Sequence, residues 1–244
     1  MLLQNGRIRL EHYHFDRLFD GLQFLGFVIP PAFHREGLRA QILDLCRENG
    51  NSTLSRIRLA VFRGEGGIFD PAGDLPHYII ESWPLPADAT AFNHQGLIID
   101  VFPDGRKACD LLANLKSNNY LLYALAARYA RKNGLDDSLV LNSRERLADS
   151  AIANLFYVKK GRFYTPPLSE GGIAGVMRRH LLGNMPAAGF SIEEKPVTIE
   201  DLLAADEVFL TNALKGIRWV ASFRESRYTH QLASEVDKRL LSRL

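Results

Sequence analysis

The residues best suited to chemistry form an ordered series in the second half of the chain. Lys116 lies between an apolar stretch and the start of a predicted helix, and an acid, Asp149, follows it. Two turns come next, Gly172–Arg178 and Thr211–Ile217. A lysine that is desolvated beside other cations can lose its proton near neutral pH and attack a carbonyl carbon. Turns that open a helix offer backbone N–H groups to a phosphate. The series therefore offers a candidate amine for a Schiff base, an acid, and backbone N–H groups that could bind a phosphate.

The motifs around these residues resemble those of one enzyme family. Lys116 begins a Lys-Ser-Asn-Asn-Tyr sequence, Asn154 begins Asn-Leu-Phe, and Gly175–Arg178 is similar to a Gly-Ile-Thr-Arg turn. On these motifs the chain resembles the fold-type IV pyridoxal-phosphate enzymes, the class IV aminotransferase family, over roughly residues 5–225. The family includes branched-chain aminotransferases, D-amino-acid aminotransferases and 4-amino-4-deoxychorismate lyases. The resemblance implies pyridoxal 5′-phosphate as the cofactor.

The resemblance also assigns roles around the cofactor ring. Lys116 forms the Schiff base and removes the substrate's α-proton, and Tyr120 approaches the phenolic oxygen, although a packed helix residue is the alternative for Tyr120. Asp149 faces the ring nitrogen, which must stay protonated if the ring is to act as an electron sink. Family members usually carry Glu there, and the aspartate is shorter by about 1.5 Å; an exposed aspartate at a strand start is its alternative. The implied cofactor-binding set is Lys116, Arg17, Asp149, Tyr120, Asn154, Val176, Met177, Asn212 and Ala213.

The phosphate needs backbone donors and a fixed positive charge. By the resemblance, Val176 and Met177 donate backbone N–H groups at a helix start, and Asn212-Ala213 forms a second phosphate turn. Arg17 supplies the charge, because His14-Phe-Asp-Arg17-Leu matches the family's His-x-x-Arg-Leu helix. An arginine on the surface of an amphipathic helix is the alternative for Arg17.

Two reactions compete. The segments Ala151–Phe156 and Asn212–Ile217 resemble those of the lyases, which eliminate pyruvate from 4-amino-4-deoxychorismate and release 4-aminobenzoate for folate synthesis. Against the lyase, Ile68 stands where lyases and D-amino-acid aminotransferases usually carry a carboxylate-binding arginine. Arg58 matches the site of such an arginine in branched-chain aminotransferases, but its alternation with apolar neighbours also describes a half-buried strand. We favour the lyase, with a class IV aminotransferase as the alternative.

A third hypothesis is a cofactor-binding homologue without activity. Family members usually carry an N-terminal segment ahead of the helix with the phosphate arginine, whereas this chain starts almost directly before that helix. Without the segment, one wall of the site would be incomplete.

The elements that position these residues fall into two lobes. The resemblance implies a two-lobe α+β fold, a small α/β lobe and a larger β-barrel-like lobe with flanking helices. We place the small lobe at 1–105 and the cofactor-binding lobe at 106–244, with a hinge at 104–106. The periodicity predicts helices at 10–26, 33–49 and 117–133 and starting near 172–177 and 228, and strands at 57–62, 78–83, near Leu111, and at 138–142, 152–158, 162–165, 207–211 and 216–222.

Composition bounds the partners and the compartment. A chain of 244 residues that is 46% hydrophobic and 24% charged is typical of a globular protein with an ample core. A net charge of +2 gives no field that would recruit nucleic acid or an anionic membrane. No signal peptide and no apolar run of about 20 residues is found, and Cys46 and Cys109 follow no metal or redox spacing. We expect a cytoplasmic protein that binds no metal.

The expected partners are a small amino-group substrate and a second copy of the chain. The resemblance implies a homodimer in which a loop of the neighbouring subunit closes each site. The glycine-rich loop Arg63–Pro71, which carries Phe69, is the candidate for that closing element.

Overall fold

The computed structural model of the protein describes residues 1–64, 73–242 and 244. Ile68 and most of the loop Arg63–Pro71 lie outside the described residues. The chain forms two compact units, Met1–Ala89 and Thr90–Leu244, whereas the sequence placed the boundary at 105/106. The strand β5 (Leu97–Lys107) explains the difference, because it pairs with β12 and β6, two strands of the second unit. The predicted hinge at 104–106 therefore lies within a strand.

The first unit packs two helices against an antiparallel sheet. Apolar residues on α1 (Glu11–Phe24) and α2 (Arg35–Glu48) share a core with the sheet, which includes Phe15, Ile42 and Ile57. Both predicted helices and both predicted strands are present. The sheet has the order β2-β1-β3-β4, with strands at Leu2–Gln4 (β1), Arg7–Ile8 (β2), Leu54–Arg63 (β3) and Pro76–Pro84 (β4).

The second unit is built on a curled, half-barrel sheet of nine strands. Its order is β10-β9-β8-β11-β12-β5-β6-β7, and a short β13 pairs with β12. β5 runs parallel to both β12 and β6, and β10 runs parallel to β9. The strands are Asp137–Asn142 (β6), Leu147–Ser150 (β7), Asn154–Lys159 (β8), Arg162–Thr165 (β9), Ile192–Glu194 (β10), Glu207–Asn212 (β11), Gly216–Phe223 (β12) and Ser226–Arg227 (β13).

Helices flank this sheet. α3 (Leu121–Lys132) packs on β5 and β6, and its inward face carries Tyr123 and Ala126. The remaining helices are α4 (Val176–Asn184), α5 (Ile199–Leu203), α6 (Gln231–Val236) and the π-helical turn Asp237–Leu241. The mixed α+β architecture confirms the predicted fold class.

The predicted strand near Leu111 is wrong. Leu111 lies in a turn between β5 and α3 and is 82% exposed. The N–H of Leu112 donates to Oδ1 of Asp110 at 2.9 Å, which closes the turn. The apolar run suggested a strand, but Leu111 and Leu112 expose 82% and 54% of their surface, so composition alone misled the prediction.

Candidate active site

Asp149 lies at the centre of a polar cluster in the second unit. It belongs to β7, where every residue is buried, and is itself 1% exposed. Its Oδ2 accepts hydrogen bonds from the hydroxyl of Tyr123 and the N–H of Ile173, both at 2.9 Å. Its Oδ1 is buried and has no hydrogen-bond partner. Burial raises the pKa of Asp149 to about 6, against the opposing charge of Lys107. Asp149 is therefore not the exposed strand-start residue of the alternative interpretation.

Tyr123 and Lys107 complete this cluster, and the sequence analysis missed both. Lys107 ends β5, is 8% exposed, and donates from Nζ to the hydroxyl of Tyr123. Burial lowers the pKa of Lys107. Burial and the neighbouring Asp149 raise the pKa of Tyr123. Tyr123 had a signal, because it lies one helical turn beyond Tyr120; Lys107 had none, because only strand pairing brings it here.

Lys116 lies in the connection between β5 and α3. It is exposed, and its charge lowers the pKa of both Asp149 and Lys107, so the three groups are within electrostatic reach of one another. Tyr120 precedes the first residue of α3 and is 52% exposed. Within the described residues it is Tyr123, and not Tyr120, that contacts Asp149.

Asn114 ties the lysine connection to the segment behind it. Its side-chain amide donates to the carbonyls of Leu168 at 2.8 Å and Gly172 at 2.6 Å. Its own carbonyl accepts the N–H of Ala174 at 3.0 Å. Because Ile173 bonds to Asp149, the same short segment contacts both the lysine connection and the buried carboxylate.

Asn154 shapes the first predicted phosphate turn. It begins β8, is buried, and donates from Nδ2 to the carbonyl of Ile173 at 2.8 Å. Gly175 then precedes α4, and no side chain caps that helix. The first turn of any α-helix has N–H groups without helical partners. Val176 and Met177 hold these positions, which suits the predicted anion-binding role.

Asn212 folds the second predicted turn. Its Oδ1 accepts the N–H groups of Leu214 at 3.0 Å and Lys215 at 2.9 Å, so the side chain closes the β11–β12 hairpin around Ala213. Its Nδ2 lies 3.4 Å from the carbonyl of Ile152. The turn therefore adjoins the connection that leads to Asn154.

Arg17 and Arg58 belong to the first unit. Arg17 is half-buried on α1, and burial lowers its pKa to about 10. Arg58 lies directly opposite Glu81 in the β3–β4 pairing and forms an ion pair with it at 3.4 Å. This position fits the half-buried strand of the alternative interpretation, and the substrate-binding role of Arg58 stays a prediction.

Similarity to known proteins decides the family. The family model described as amino-transferase class IV matches residues 1–223. The chain belongs to this family. Among its class IV relatives, aminodeoxychorismate lyase of Vibrio harveyi is 34% identical over 163 residues, which is 66% of the chain and 60% of the relative. Branched-chain-amino-acid aminotransferase of Escherichia coli is 29% identical over 217 residues, 86% of the chain and 68% of the relative.

Solved structures agree with this assignment. The crystal structure of 4-amino-4-deoxychorismate lyase from Pseudomonas aeruginosa matches with a TM-score of 0.81 and 28% identity, covering 98% of the chain and 89% of that structure. The relatives' names divide between lyases and aminotransferases. This class IV protein is thus an enzyme, as predicted, and similarity alone leaves two reactions open.

Pyridoxal 5′-phosphate is the cofactor of class IV aminotransferases, which confirms the predicted cofactor. The residues present fit it. A buried acceptor without a donor costs about 1–3 kcal/mol, and Oδ1 of Asp149 is such an acceptor. A protonated ring nitrogen would supply the missing donor. Lys116 would hold the cofactor covalently, and the turn at Val176 and Met177 would bind its phosphate.

Three further properties concern the described part of the chain. No helix in it is long and apolar enough to cross a membrane. No group of three or more histidine, cysteine, aspartate or glutamate side chains there could hold a metal ion. Cys46 is buried, Cys109 is partly exposed, and neither is in a disulfide.

Proposed function

We propose that the protein is a lyase that eliminates pyruvate from 4-amino-4-deoxychorismate and releases 4-aminobenzoate. The observation that carries this proposal is the 34% identity to the Vibrio harveyi lyase, against 29% for the aminotransferase of Escherichia coli. The lyase-like segments that contain Ile152 and Asn212 also support it, and Nδ2 of Asn212 lies 3.4 Å from the carbonyl of Ile152. The matched region spans 60% of the lyase's length. Because it covers 66% of the chain, it must include the central positions Lys116 and Asp149.

Lys116 and Asp149 each have a defined task in this reaction. The bound cofactor supplies an electron sink next to the substrate's amine. Lys116 takes the proton from the carbon that bears the amine, and it faces solvent, from which substrate arrives. Asp149 keeps the proton on the ring nitrogen. Cleavage of the C–O bond to the pyruvate unit then makes the product ring aromatic, and the departing enolate takes up one proton, which balances the one that Lys116 removed, to become pyruvate.

A class IV aminotransferase is the second candidate. The alignment with the Escherichia coli aminotransferase covers 86% of the chain, a wider match than the 66% of the lyase. The residue that favoured this reaction, Arg58, has an ion-pair partner in Glu81. Exposed pairs contribute only about 0–1 kcal/mol, so this pairing would not prevent Arg58 from binding a substrate carboxylate.

One experiment separates the reactions. The purified protein, supplied with pyridoxal 5′-phosphate, is mixed with 4-amino-4-deoxychorismate, and 4-aminobenzoate and pyruvate are measured. A parallel mixture contains branched-chain and D-amino acids, and Lys116→Ala serves as the inactive control. We expect equal amounts of the two products from the first mixture. Conversion of the cofactor to its pyridoxamine form by an amino acid, with no aminobenzoate, would establish the aminotransferase. No change in either mixture would favour a cofactor-binding homologue without activity.

We further propose that the protein works as a cytoplasmic homodimer. Leu111 and Leu121, which lie before and after Lys116 in the sequence, are 82% and 70% exposed, and a second subunit would cover such apolar surface. Neither cysteine is in a disulfide, which suits a reducing compartment. Light scattering at micromolar concentration should give twice the mass of the chain, and a monomer with bound cofactor would contradict the proposal.

A further inference from the structure

Lys107, Tyr123 and Asp149 form a chain of hydrogen bonds behind the carboxylate. The ammonium of Lys107 donates to the hydroxyl of Tyr123, which lies 2.9 Å from Oδ2 of Asp149. All three residues are buried, with exposures of 8%, 9% and 1%. The reaction described above gives no task to Lys107 or Tyr123, so a buried cation is left to explain.

The donors in this chain fix the direction of every proton. A lysine ammonium has three donors and no acceptor, and a tyrosine hydroxyl has one proton. Because Tyr123 accepts from Lys107, its own proton must point to Oδ2 of Asp149. The N–H of Ile173 supplies the second donor to that oxygen. Oδ2 is therefore satisfied by the protein, and Oδ1 is the acceptor that remains.

We propose that Lys107 is a positioning residue for the cofactor, which acts through Tyr123 to keep Asp149 ionised and to present Oδ1 to the ring nitrogen. The inference rests on the cofactor of the family and not on which substrate the enzyme takes. An uncharged Lys107 could accept the proton of Tyr123, and Oδ2 would lose that donor. The charge of Lys107 thus decides which oxygen of Asp149 faces the ring nitrogen.

The charges around the cluster support the same role. Burial disfavours the carboxylate of Asp149, and Lys107 is the strongest of the groups that lower its pKa again. The ring nitrogen would bind at Oδ1, on the other side of the carboxylate from Tyr123. The cation therefore attracts Asp149 more than it repels a protonated ring. The groups that act on Lys107 are Asp149 on β7, Tyr123 on α3, and Lys116, Asp110 and Cys109 in the connection between β5 and α3.

The test reads the protonation of the ring nitrogen directly. Parent and variants are loaded with pyridoxal 5′-phosphate labelled with nitrogen-15 in the ring, and the ring-nitrogen chemical shift is followed against pH. Lys107→Met removes the charge, Tyr123→Phe keeps the charge but breaks the chain, and Lys107→Arg keeps a donor-only cation. Lys132→Met is the matched control, because Lys132 is an exposed lysine at the far end of α3 from Tyr123.

We expect the ring nitrogen to lose its proton at a lower pH in Lys107→Met, with at least about a tenfold weaker proton affinity. Tyr123→Phe should shift it in the same direction, and Lys107→Arg and Lys132→Met should match the parent. A parental titration in Lys107→Met would overturn the proposal. A shift in Lys107→Met without one in Tyr123→Phe would reject the relay through Tyr123. If Lys107→Met does not fold, Tyr123→Phe alone decides. The signal requires only bound cofactor, so failure to act on 4-amino-4-deoxychorismate leaves it intact.

Discussion

Gly175 lies so close to Asn154 that a Cβ atom at position 175 would stand 1.8 Å from Oδ1 of Asn154. Real Cβ atoms essentially never approach a neighbour below 3.0 Å. The same asparagine donates to the carbonyl of Ile173. One side chain therefore holds the backbone from 173 to 175, directly ahead of the first turn of α4.

Gly175→Ala should damage both stability and cofactor binding. The methyl group would push Asn154 or the backbone away, and overpacking of this kind costs about 1–3 kcal/mol. The displaced turn would no longer present Val176 and Met177 correctly, so we expect at least about a tenfold loss of affinity for pyridoxal 5′-phosphate. Urea unfolding and a spectroscopic titration of the cofactor measure the two effects.

Gly183→Ala is the control for that substitution. Gly183 lies on the same helix, and a Cβ there would meet nothing within 4 Å. Alanine is favoured over glycine in a helix by about 1 kcal/mol, so this variant should be as stable as the parent or more so, with unchanged cofactor affinity. If the two variants behave alike, the Asn154–Gly175 contact does not constrain the turn.

Asp149 should make the protein without cofactor less stable as the pH rises. Its pKa is about 6 when folded, against an ordinary 3.8, so the folded state binds the proton more tightly than the unfolded state. The free energy of unfolding must then fall as the pH rises from about 4 to about 6. Above that range it stays roughly 3 kcal/mol lower than at acidic pH. Asp149→Asn removes this fall.

The measurement is the urea unfolding of parent and Asp149→Asn, both without cofactor, at acidic and neutral pH. The difference in unfolding free energy between the two should shift in favour of the variant as the pH rises. Asp104→Asn provides the control, because Asp104 is an exposed aspartate in the same unit. A difference that does not change with pH would mean that Asp149 titrates like an exposed aspartate.

Local pattern predicted part of the site's backbone framework, but not β5, which ends at Lys107, or β7, which carries Asp149. Apolar residues recur with the period of a helix in α3 and with that of a strand in β8 and β9. Each of these elements could therefore be located without knowledge of what it packs against. The order of Lys116, Asp149 and Asn154 along the chain then identified the family. These local predictions are correct because the tertiary packing favours the same elements.

The contacts that complete the site depend on residues distant in sequence. Lys107 reaches Tyr123 only because β5 runs parallel to β6 and α3 packs on both strands. Nothing near Lys107 in the sequence marks that pairing. The same holds for Arg58, whose partner Glu81 is fixed by the register of a hairpin. Strand pairing therefore determines these contacts, and the spacing of residues in the sequence does not predict them.

The buried carboxylate of Glu170 gives a prediction on stability. Glu170 is 1% exposed, and Arg146 binds it through two hydrogen bonds of 2.6 Å. Arg146→Met would leave that charge with the amide of Asn142 at 2.7 Å and with Arg144 at 3.8 Å. The loss of unfolding free energy should therefore be clearly larger than for an exposed pair, because Glu170 stays buried with fewer partners.

Arg162→Met is the comparison for Arg146→Met. Arg162 pairs with Glu193 at 3.5 Å, and both side chains are at least half exposed. Exposed pairs are worth about 0–1 kcal/mol, so urea unfolding should show little change. Equal losses in the two variants would show that burial of Glu170 does not set the cost.

Lys116 should be the lysine that carries the cofactor. The purified protein with pyridoxal 5′-phosphate should be yellow, and borohydride should fix the cofactor on the peptide that contains Lys116. The competing amine is Lys107, which lies within reach of the same carboxylate but is buried and donates to Tyr123, whereas Lys116 is exposed. A carbonyl carbon must approach an accessible, deprotonated amine, so accessibility favours Lys116.

Lys116→Ala should therefore remain unlabelled after reduction, and mass spectrometry of the digested protein should find no adduct on Lys107. Label on Lys107 in the parent protein would show that Lys107, and not Lys116, holds the cofactor. It would also rule out the positioning role proposed for Lys107.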